Sequence, residues 1–233
     1  MDKPQRVYEV FQNISDSYDH ANMMISLGLQ KFWKAKLIKR IVKHTDQRAR
    51  VLDVCCGTGD IAIAVGERRR DLKISGLDFS PAMLKQAKRK GRHLENVRWR
   101  QGDAMHLPYK DKTFGAASIS FGLRNTGDYE QVIREMKRVV RNQGYVYCID
   151  SFVPDLKIIR PFYDLYFHYL MPFLGGGTKH RDEYLWLWES TKKFVTKREL
   201  LQLFKDAGLT ECGYQSMMFG ACVLMWGKNS KDN

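Results

Sequence analysis

Short apolar runs and stretches of helical periodicity alternate along much of the chain. The apolar runs predict five strands, and the stretches between them place apolar residues on one helical face, which predicts amphipathic helices. Regular alternation of strands and helices is typical of a parallel sheet covered by helices. The first predicted strand begins at Val51, and the others span Lys73–Asp78, Val97–Gln101, Phe114–Ser120 and Tyr145–Ile149.

Helices precede and connect these strands. We expect the helices before the first strand to form a lid, residues 1–46, on an α/β core of residues 47–152. Ser80 and Pro81 supply an N-cap and a first-turn proline for one connecting helix, and Gly144 is expected to turn the chain into the fifth strand. The predicted helices span Val7–Tyr18, Leu29–Val42, Ile61–Arg69, Pro81–Lys90 and Tyr129–Val140.

The alternation stops after the fifth strand. Helical stretches at Ile158–Leu170 and Arg181–Lys192 flank the flexible sequence Gly175–Gly177. We expect residues 153–195 to form a substrate cap within a single domain, residues 1–233.

The C-terminal residues, 196–233, show a helix followed by a hairpin. Thr196 to Glu199 is a capping box, which opens a helix that ends at Ala207. Two apolar runs follow, Leu209–Gln215 and Ala221–Trp226, and predict antiparallel strands.

A glycine-rich turn follows the first strand. The apolar run reaches an acid at Asp53 and then breaks at Gly57 and Gly59, which is typical of a nucleotide-binding loop that leads into a helix. Because Ala62 completes the looser dinucleotide fingerprint, Gly-x-Gly-x-x-Ala, hydride chemistry stays an alternative at this point.

Acids also end the next two strands. Asp78 lies about twenty residues beyond the glycine turn, where a carboxylate can accept from both ribose hydroxyls. Asp103 follows the third strand, where it can accept from an adenine amino group. The alternative is that Asp53, Asp78 and Asp103 only cap strand ends.

The composition adds a strong positive charge. The 233 residues carry a net charge of +13, with 44% hydrophobic and 28% charged residues. Such a charge suggests a polyanionic neighbour, either nucleic acid or an anionic membrane, although solvated surface lysines explain it equally well.

Other classes of protein are not indicated. The five cysteines include the adjacent pair Cys55 and Cys56, and no cysteine or histidine spacing is typical of a metal site. The most apolar stretch, 158–174, is interrupted by charged residues and prolines. These features predict a cytoplasmic protein with reduced thiols, no bound metal and no membrane-spanning segment.

The three strand-end acids resemble those of class I S-adenosylmethionine-dependent methyltransferases. That resemblance implies a Rossmann-like fold, with a mainly parallel seven-stranded sheet and a C-terminal antiparallel hairpin. It also implies that Asp53 lies near the methionine amino group of the cofactor, S-adenosylmethionine.

Several motifs narrow the resemblance. The most specific motif is Ser-Phe-Gly-Leu-Arg-Asn at 120–125. The others are Tyr18-Asp19 with Asn22, Ser26-Leu-Gly28, Trp33-Lys34, and Tyr184 with Leu187-Trp-Glu-Ser190. With these motifs the chain resembles the quinone C-methyltransferases of menaquinone and ubiquinone biosynthesis, and the match runs nearly from end to end.

This resemblance implies site residues and a substrate. Besides Gly57 and Gly59 of the loop, the implied cofactor contacts are Thr58, Asp78, Asp103, Ala104 and Ser120. The implied acceptor is a polyprenyl hydroquinol, with demethylmenaquinol first and a 2-methoxy-6-polyprenyl-1,4-benzoquinol second. Departures from the family at 29–31, 126–127 and Met225 put the quinone in doubt. RNA, another phenolic or lipid acceptor, and a non-catalytic binding protein are the alternatives.

The candidate catalytic residues follow the fourth strand. A ring carbon becomes nucleophilic when an adjacent hydroxyl loses its proton, so catalysis requires positioning and stabilisation of a phenolate-like anion. Arg124 can hold that anion or orient a water, and Asn125 can orient the hydroxyl or the cofactor. The alternative pairs Arg124 with Asp128 or Asp150. His168 and His180 are the imidazoles of the predicted cap.

An aromatic stretch at 161–172, with Trp186 and Trp188 beyond it, has two interpretations. It forms either a helix core or an apolar tunnel or interfacial face that receives a polyprenyl tail. With the net charge, the second interpretation predicts peripheral attachment to an anionic membrane, and weaker vesicle binding when both tryptophans are replaced by alanine. We expect no nucleic-acid partner, and a homodimer is left open.

Overall fold

The computed structural model describes residues 3–15, 18–156, 158, 160–166 and 181–230. Within them the strands form one seven-stranded sheet, whose first five strands are parallel and whose last two are antiparallel. The strands are β1 (Arg50–Val54), β2 (Lys73–Asp78), β3 (Val97–Gln101), β4 (Phe114–Ser120), β5 (Val140–Ser151), β6 (Thr210–Met217) and β7 (Cys222–Lys228). The order across the sheet is β3-β2-β1-β4-β5-β7-β6, which confirms the predicted fold class.

The helices lie around this sheet, and two short 3-10 helices follow β4 and β6. The 3-10 helices span Leu123–Asn125 and Met218–Gly220. The α-helices in the described residues are α1 (Lys3–Ile14), α2 (Tyr18–Ile25), α3 (Leu29–His44), α4 (Asp60–Arg68), α5 (Pro81–Lys90), α6 (Tyr129–Val139), α7 (Arg160–Leu165), α8 (Arg181–Lys192) and α9 (Lys197–Asp206).

The centre of the sheet positions the site. Both faces of β1 and β4 are buried, as parallel strands under two helical layers require. β1 pairs with β2 on one side and with β4 on the other, so the strand order reverses there. Ligands of α/β sheets bind at such a switch point, beyond the carboxyl ends of the strands.

The N-terminal helices pack onto that end of the sheet. Val10 and Ile14 of α1 share an apolar cluster with Met83 of α5 and Trp188 of α8. The side-chain oxygen of Gln12 also accepts from the Ser80 hydroxyl at 3.1 Å and from an α5 backbone amide at 3.2 Å. These contacts hold α1 against the N-terminus of α5, next to the end of β2.

The predicted helix boundaries are confirmed where capping chemistry marks them. The Ser80 hydroxyl accepts from the Met83 amide and precedes Pro81. At the start of α9, Thr196 and Glu199 form both hydrogen bonds of the capping box. Each cap satisfies amide groups that the helix itself leaves without partners.

The lid differs from its prediction. The first helix ends at Ile14 rather than at Tyr18, and Tyr18 instead begins the separate helix α2. Ala21 is the one residue of α2 that is fully buried. Tyr18 and Ile25 pack beside Ala21 in the apolar cluster, so α2 has a short apolar face of its own, separate from that of α1.

The predicted turn at Gly144 is wrong. β5 begins at Val140, directly after α6, and Gly144 lies inside the strand. A Cβ atom at Gly144 would come within 2.5 Å of the Gly115 carbonyl oxygen, so glycine permits close approach of β4 and β5 here. The register shifts between Phe114 and Ala116, and Gln143 has a positive φ of 65°. Both features indicate a bulge.

Candidate active site

The glycine turn after β1 lies at the switch point. Gly57 and Gly59 have positive φ angles of 53° and 87°, which favour glycine. The Gly57 amide donates to Asp78 at 2.8 Å. A Cβ atom at Gly59 would lie 2.4 Å from the Trp99 ring, so Gly59 lets the turn approach β3. The turn thus links the ends of three strands.

Asp53 is buried at the end of β1. Its carboxylate accepts from the Ala62 amide at 3.2 Å and from the Ser118 hydroxyl at 3.1 Å. Burial raises the pKa of Asp53 to about 7, although these two hydrogen bonds oppose the shift. A cationic group nearby would favour the ionised form of this carboxylate.

Asp78 is also buried, at the end of β2. One oxygen accepts from Gly57 and the other from the Ser80 amide at 2.9 Å. Burial raises the pKa of Asp78 to about 6, against the effect of these amides. Because a carboxylate has about four acceptor positions, both oxygens can still accept from ligand hydroxyls.

Two adjoining cavities open at the carboxyl ends of the strands. The Asp78 cavity has a volume of about 340 Å³ and also contacts Asp103, Ala104 and Asn125. The Arg124 cavity has a volume of about 380 Å³ and contacts Asp53 and Thr58. The residues that line both cavities are Tyr18, Cys55, Gly57, Ser120 and Phe121.

The cavities therefore bring together most of the predicted site residues. Gly59 is the exception, because it lines neither cavity and packs against Trp99 instead. Asp103 is exposed, and its oxygens contact the Met105 amide at 2.9 Å and the His106 ring at 3.3 Å. Ala104 is buried beside it.

Arg124 is paired with Asp150, as the alternative interpretation predicted. Its Nη1 atom donates to Asp150 at 2.5 Å and to the Phe121 carbonyl at 2.9 Å. Asp150 is fully buried and also accepts from the backbone amides of Arg124 and Ser151. Asp128 instead caps α6. The pair fixes the guanidinium at the edge of the Arg124 cavity.

Three buried polar atoms near the end of β4 have no hydrogen-bond partner in the described structure: Ser120 Oγ, Arg124 Nε and Asn125 Oδ1. Burial of a polar atom without a partner is costly. All three residues line a cavity. Their arrangement fits a polar ligand that supplies the missing partners.

A polar cluster between α2 and the glycine turn was not predicted from the sequence. The Thr58 hydroxyl donates to Asp19 at 2.6 Å, and Lys90 donates to Asp19 at 2.7 Å and to Asp60. Lys34 donates to the other oxygen of Asp60 at 2.8 Å. Burial alone would raise the pKa of Asp60, but the two lysines lower it to about 2. We call these five residues the lid clasp.

The lid clasp and Tyr18 hold α2 over the site. Tyr18 lines both cavities, and burial raises the pKa of its phenol. The sequence motifs include Tyr18, Asp19 and Lys34, and the resemblance implies Thr58 as a cofactor contact, but neither indicates that the clasp residues meet. The lysine at position 90 is one of many in a basic stretch, so no local signal distinguishes it.

The cap helices resolve the two interpretations of the aromatic residues in part. Trp188 is 4% exposed and packs against Tyr163, with 5.5 Å between ring centroids. Trp186 is half-buried against the same cluster. Trp188 therefore forms part of a helix core, as the first interpretation predicts, and does not lie on an exposed interfacial face. His168 and His180 lie outside the described residues.

The sequence predicts reduced thiols and no membrane-spanning segment. All five cysteines are free thiols. No helix in the described ranges is long and apolar enough to cross a membrane.

Solved structures share this fold. An S-adenosylmethionine-dependent methyltransferase of Thermotoga maritima, a possible histamine N-methyltransferase, has a TM-score of 0.66 at 17% identity, over 96% of this chain and 100% of that one. A putative S-adenosylmethionine-dependent methyltransferase of Methanococcus maripaludis has a TM-score of 0.64 at 16% identity, over 93% of each chain. These likenesses identify a class I methyltransferase fold.

Sequence relatives give the family. The demethylmenaquinone methyltransferases of Staphylococcus aureus strains JH9 and Newman are each 40% identical over 231 residues, which cover 98% of this chain and 95% of each relative. The ubiE/COQ5 methyltransferase family matches residues 1–229. With the fold and the two cavities, this match shows that the chain belongs to the ubiE/COQ5 methyltransferase family.

Proposed function

We propose that the protein transfers a methyl group from S-adenosylmethionine to a ring carbon of a polyprenylated hydroquinol, and that this acceptor is demethylmenaquinol. The observation that carries the proposal is the junction of the two cavities at Ser120, where the cavity that contains the buried acid Asp78 meets the cavity that contains Arg124. The name of the relatives at 40% identity supports the choice of acceptor.

The residues of the Asp78 cavity fit the cofactor. Asp78 would accept from the ribose hydroxyls, and the orphaned Ser120 Oγ and Asn125 Oδ1 would gain partners. Asp103 and Ala104 line the far part of the same cavity and would hold the adenine. Asp53, which lines the adjoining Arg124 cavity, would hold the cationic methionine end. When bound, S-adenosylmethionine supplies an electrophilic methyl group.

The Arg124 cavity fits an aromatic ring with an apolar tail. Much of its lining is aromatic or aliphatic, including Trp33, Phe121, Tyr163 and Leu187. The Nε–H of Arg124 has no partner among the described residues, and we assign it as the donor to a ring oxygen. Asp150 holds the guanidinium, so Arg124 stabilises the developing phenolate without needing to move.

The proposed acceptor also indicates the cellular location of the protein. A hydroquinol with a polyprenyl tail resides in a lipid bilayer, and the net charge of +13 is attracted to anionic lipid. We therefore propose peripheral attachment to a membrane on its cytoplasmic side, with the bilayer rather than nucleic acid as the polyanionic neighbour.

The direct test is mass spectrometry after incubation with cofactor that carries a deuterated methyl group. The acceptors are reduced demethylmenaquinol with a short prenyl tail, the corresponding methoxy-benzoquinol, and oxidised demethylmenaquinone. We expect the label on demethylmenaquinol alone. Label on the methoxy-benzoquinol instead would replace the proposed acceptor, and no label on any quinol would reject the function.

A matched variant tests the cofactor site. Asp78→Ala should weaken binding of S-adenosylhomocysteine by about 2 kcal/mol, from the loss of charge-assisted hydrogen bonds. Calorimetry measures the change, and the melting temperature of each variant checks folding. Asp103→Ala is the comparison, because the exposed carboxylate of Asp103 should contribute less to cofactor binding than the buried one of Asp78. Equal losses in the two variants would contradict the assigned roles.

A further inference from the structure

We propose that a ring of exposed apolar side chains at the mouth of the Arg124 cavity inserts into the surface of an anionic lipid bilayer. Leu27, Met218 and Phe219 line the cavity, and the exposed residues Phe32, Phe162 and Leu165 each precede a lining residue in the sequence; we call these six the apolar rim. The inference rests on the proposed function, because a polyprenyl tail would enter the cavity through this mouth.

The side chains of the rim are exposed to solvent. An enzyme for a water-soluble acceptor would need no such apolar surface at its cavity. Leu27 is 71% exposed and Phe219 is 61% exposed, and both line the Arg124 cavity, as does Met218. Phe162 is 71% exposed on α7, next to the cavity residue Tyr163. A cluster of large exposed apolar side chains around a cavity marks an interaction site rather than a random surface.

Hydrogen bonds connect the segments that carry the rim. The Tyr166 hydroxyl, at the end of α7, donates to the Ile25 carbonyl, two residues before Leu27. The Asp155 amide, at the start of the cap, donates to the Phe219 carbonyl at 3.0 Å. Three segments distant in sequence are thereby held around one mouth.

The backbone is strained at three positions of the rim. Leu27, Met218 and Phe219 have positive φ angles of 49°, 50° and 54°. Bulky side chains rarely adopt this left-handed conformation, and such strain concentrates at functional sites. Asparagine or glycine would relieve it, so the apolar residues at these positions are not explained by folding.

Basic side chains follow the rim along α3. Phe32, Lys36, Lys39 and Lys43 lie within a narrow stripe on one helical face, given 100° per residue. The Lys36 ammonium lies 4.7 Å from the centre of the Phe32 ring, and none of the three lysines forms an ion pair with a described residue. At a rise of about 1.5 Å per residue, Lys36 and Lys39 lie about 6 and 10 Å beyond Phe32.

This arrangement fits a bilayer surface. Interfacial segments bury their apolar side chains about 5–10 Å deep, so the α3 lysines would lie at the level of anionic headgroups. A protein partner seated on the rim would cover the mouth of the cavity. A bilayer would instead present the prenylated substrate to it.

The test is co-sedimentation of the full chain with vesicles of phosphatidylcholine mixed with phosphatidylglycerol, without substrate. Leu27→Asn combined with Phe219→Asn should weaken vesicle binding by about tenfold or more, since two inserted side chains are lost. Asparagine tolerates positive φ, so folding should be preserved. Melting temperature and affinity for S-adenosylhomocysteine verify this.

A second apolar pair and two lysine pairs complete the design. Phe32 and Phe162 line neither cavity. The double variant Phe32→Ser with Phe162→Ser should weaken vesicle binding by a similar factor. Lys36→Gln with Lys39→Gln should lower binding to the mixed vesicles and its dependence on salt. The matched control is Lys85→Gln with Lys88→Gln, which removes the same charge from exposed positions on α5.

The outcomes separate this inference from the proposed function. If both apolar variants bind vesicles like the parent protein, or if the α5 control weakens binding as much as the α3 pair, the rim is not the docking surface. Equal binding to vesicles of phosphatidylcholine alone would remove the anionic requirement. Failure to methylate a short-tailed quinol, with these vesicle results as expected, would reject the proposed acceptor and leave the rim in place.

Discussion

Replacement of Arg124 by leucine should destabilise the protein as well as impair its chemistry. The guanidinium donates to the fully buried Asp150 at 2.5 Å. Removal of one partner of a buried ion pair typically costs about 3–5 kcal/mol, because the other charge stays buried without compensation. Asp150 would keep two backbone donors, the amides of residue 124 and Ser151, so the loss should lie near the lower end, at about 3 kcal/mol.

Urea denaturation followed by tryptophan fluorescence measures this loss. Asp150→Asn leaves the guanidinium without its anion and should also destabilise the fold. The double variant, Arg124→Leu with Asp150→Asn, should lose at least about 1 kcal/mol less than the sum of the single variants, because the two residues interact directly. A loss below about 1 kcal/mol for Arg124→Leu would show that the pair contributes little and would refute this reasoning.

The same variant separates stability from catalysis. Arg124 does not line the Asp78 cavity, so the folded variant should bind S-adenosylhomocysteine with unchanged affinity while its turnover number falls. Turnover must be measured at a temperature well below the melting transition of the variant. A normal turnover number would leave Arg124 a purely structural role.

Three other predictions concern the glycine turn, the lid clasp and the buried acids. Gly59→Ala should lower the free energy of unfolding by about 2 kcal/mol or more in urea, whereas Gly57→Ala, with open space around it, should lose less. Lys90→Met should raise the pKa of Asp60, measured by NMR, and speed amide exchange in residues 18–25, because one of the two neutralising lysines is lost. Burial raises the pKa of Asp53 from 3.8 to about 7, so the folded state binds the proton of this carboxyl group more tightly than the unfolded state does. The free energy of unfolding should therefore fall as pH rises from 3.8 to about 7. Asp53→Asn should reduce that slope in denaturation measured across the range.

The centre of the sheet could be predicted from the sequence because its strands are buried. β4 is buried along almost its whole length, and the boundaries predicted for β2, β3 and β4 agree with the structure. The prediction at Gly144 failed because a glycine in a strand and a glycine in a turn look alike locally. The deciding contact, with the Gly115 carbonyl, joins two strands and leaves no periodic signal.

The site could be predicted in part for the same reason. Asp53 and Asp78 occupy strand ends that the apolar pattern locates, so their meeting at one edge follows from parallel pairing. The lid clasp could not be found in this way, because Asp19, Asp60 and Lys90 meet only when three helix ends come together. Likewise, nothing in the sequence distinguishes the buried Trp188 from the exposed Phe162.

The charges of the residues assigned to the cofactor and to the acceptor differ in a way that favours the proposed division of roles. No cationic side chain among the described residues bonds to Asp53 or Asp78, and burial raises the pKa of both carboxyl groups. Ionisation of either acid is therefore helped by a ligand that brings positive charge or hydroxyl donors. Arg124 already has its counter-charge in Asp150. An unpaired buried guanidinium would select a permanently anionic acceptor. The Arg124–Asp150 pair instead suits a neutral hydroquinol, which becomes anionic only during the reaction. A fixed donor then stabilises the anion when its charge develops.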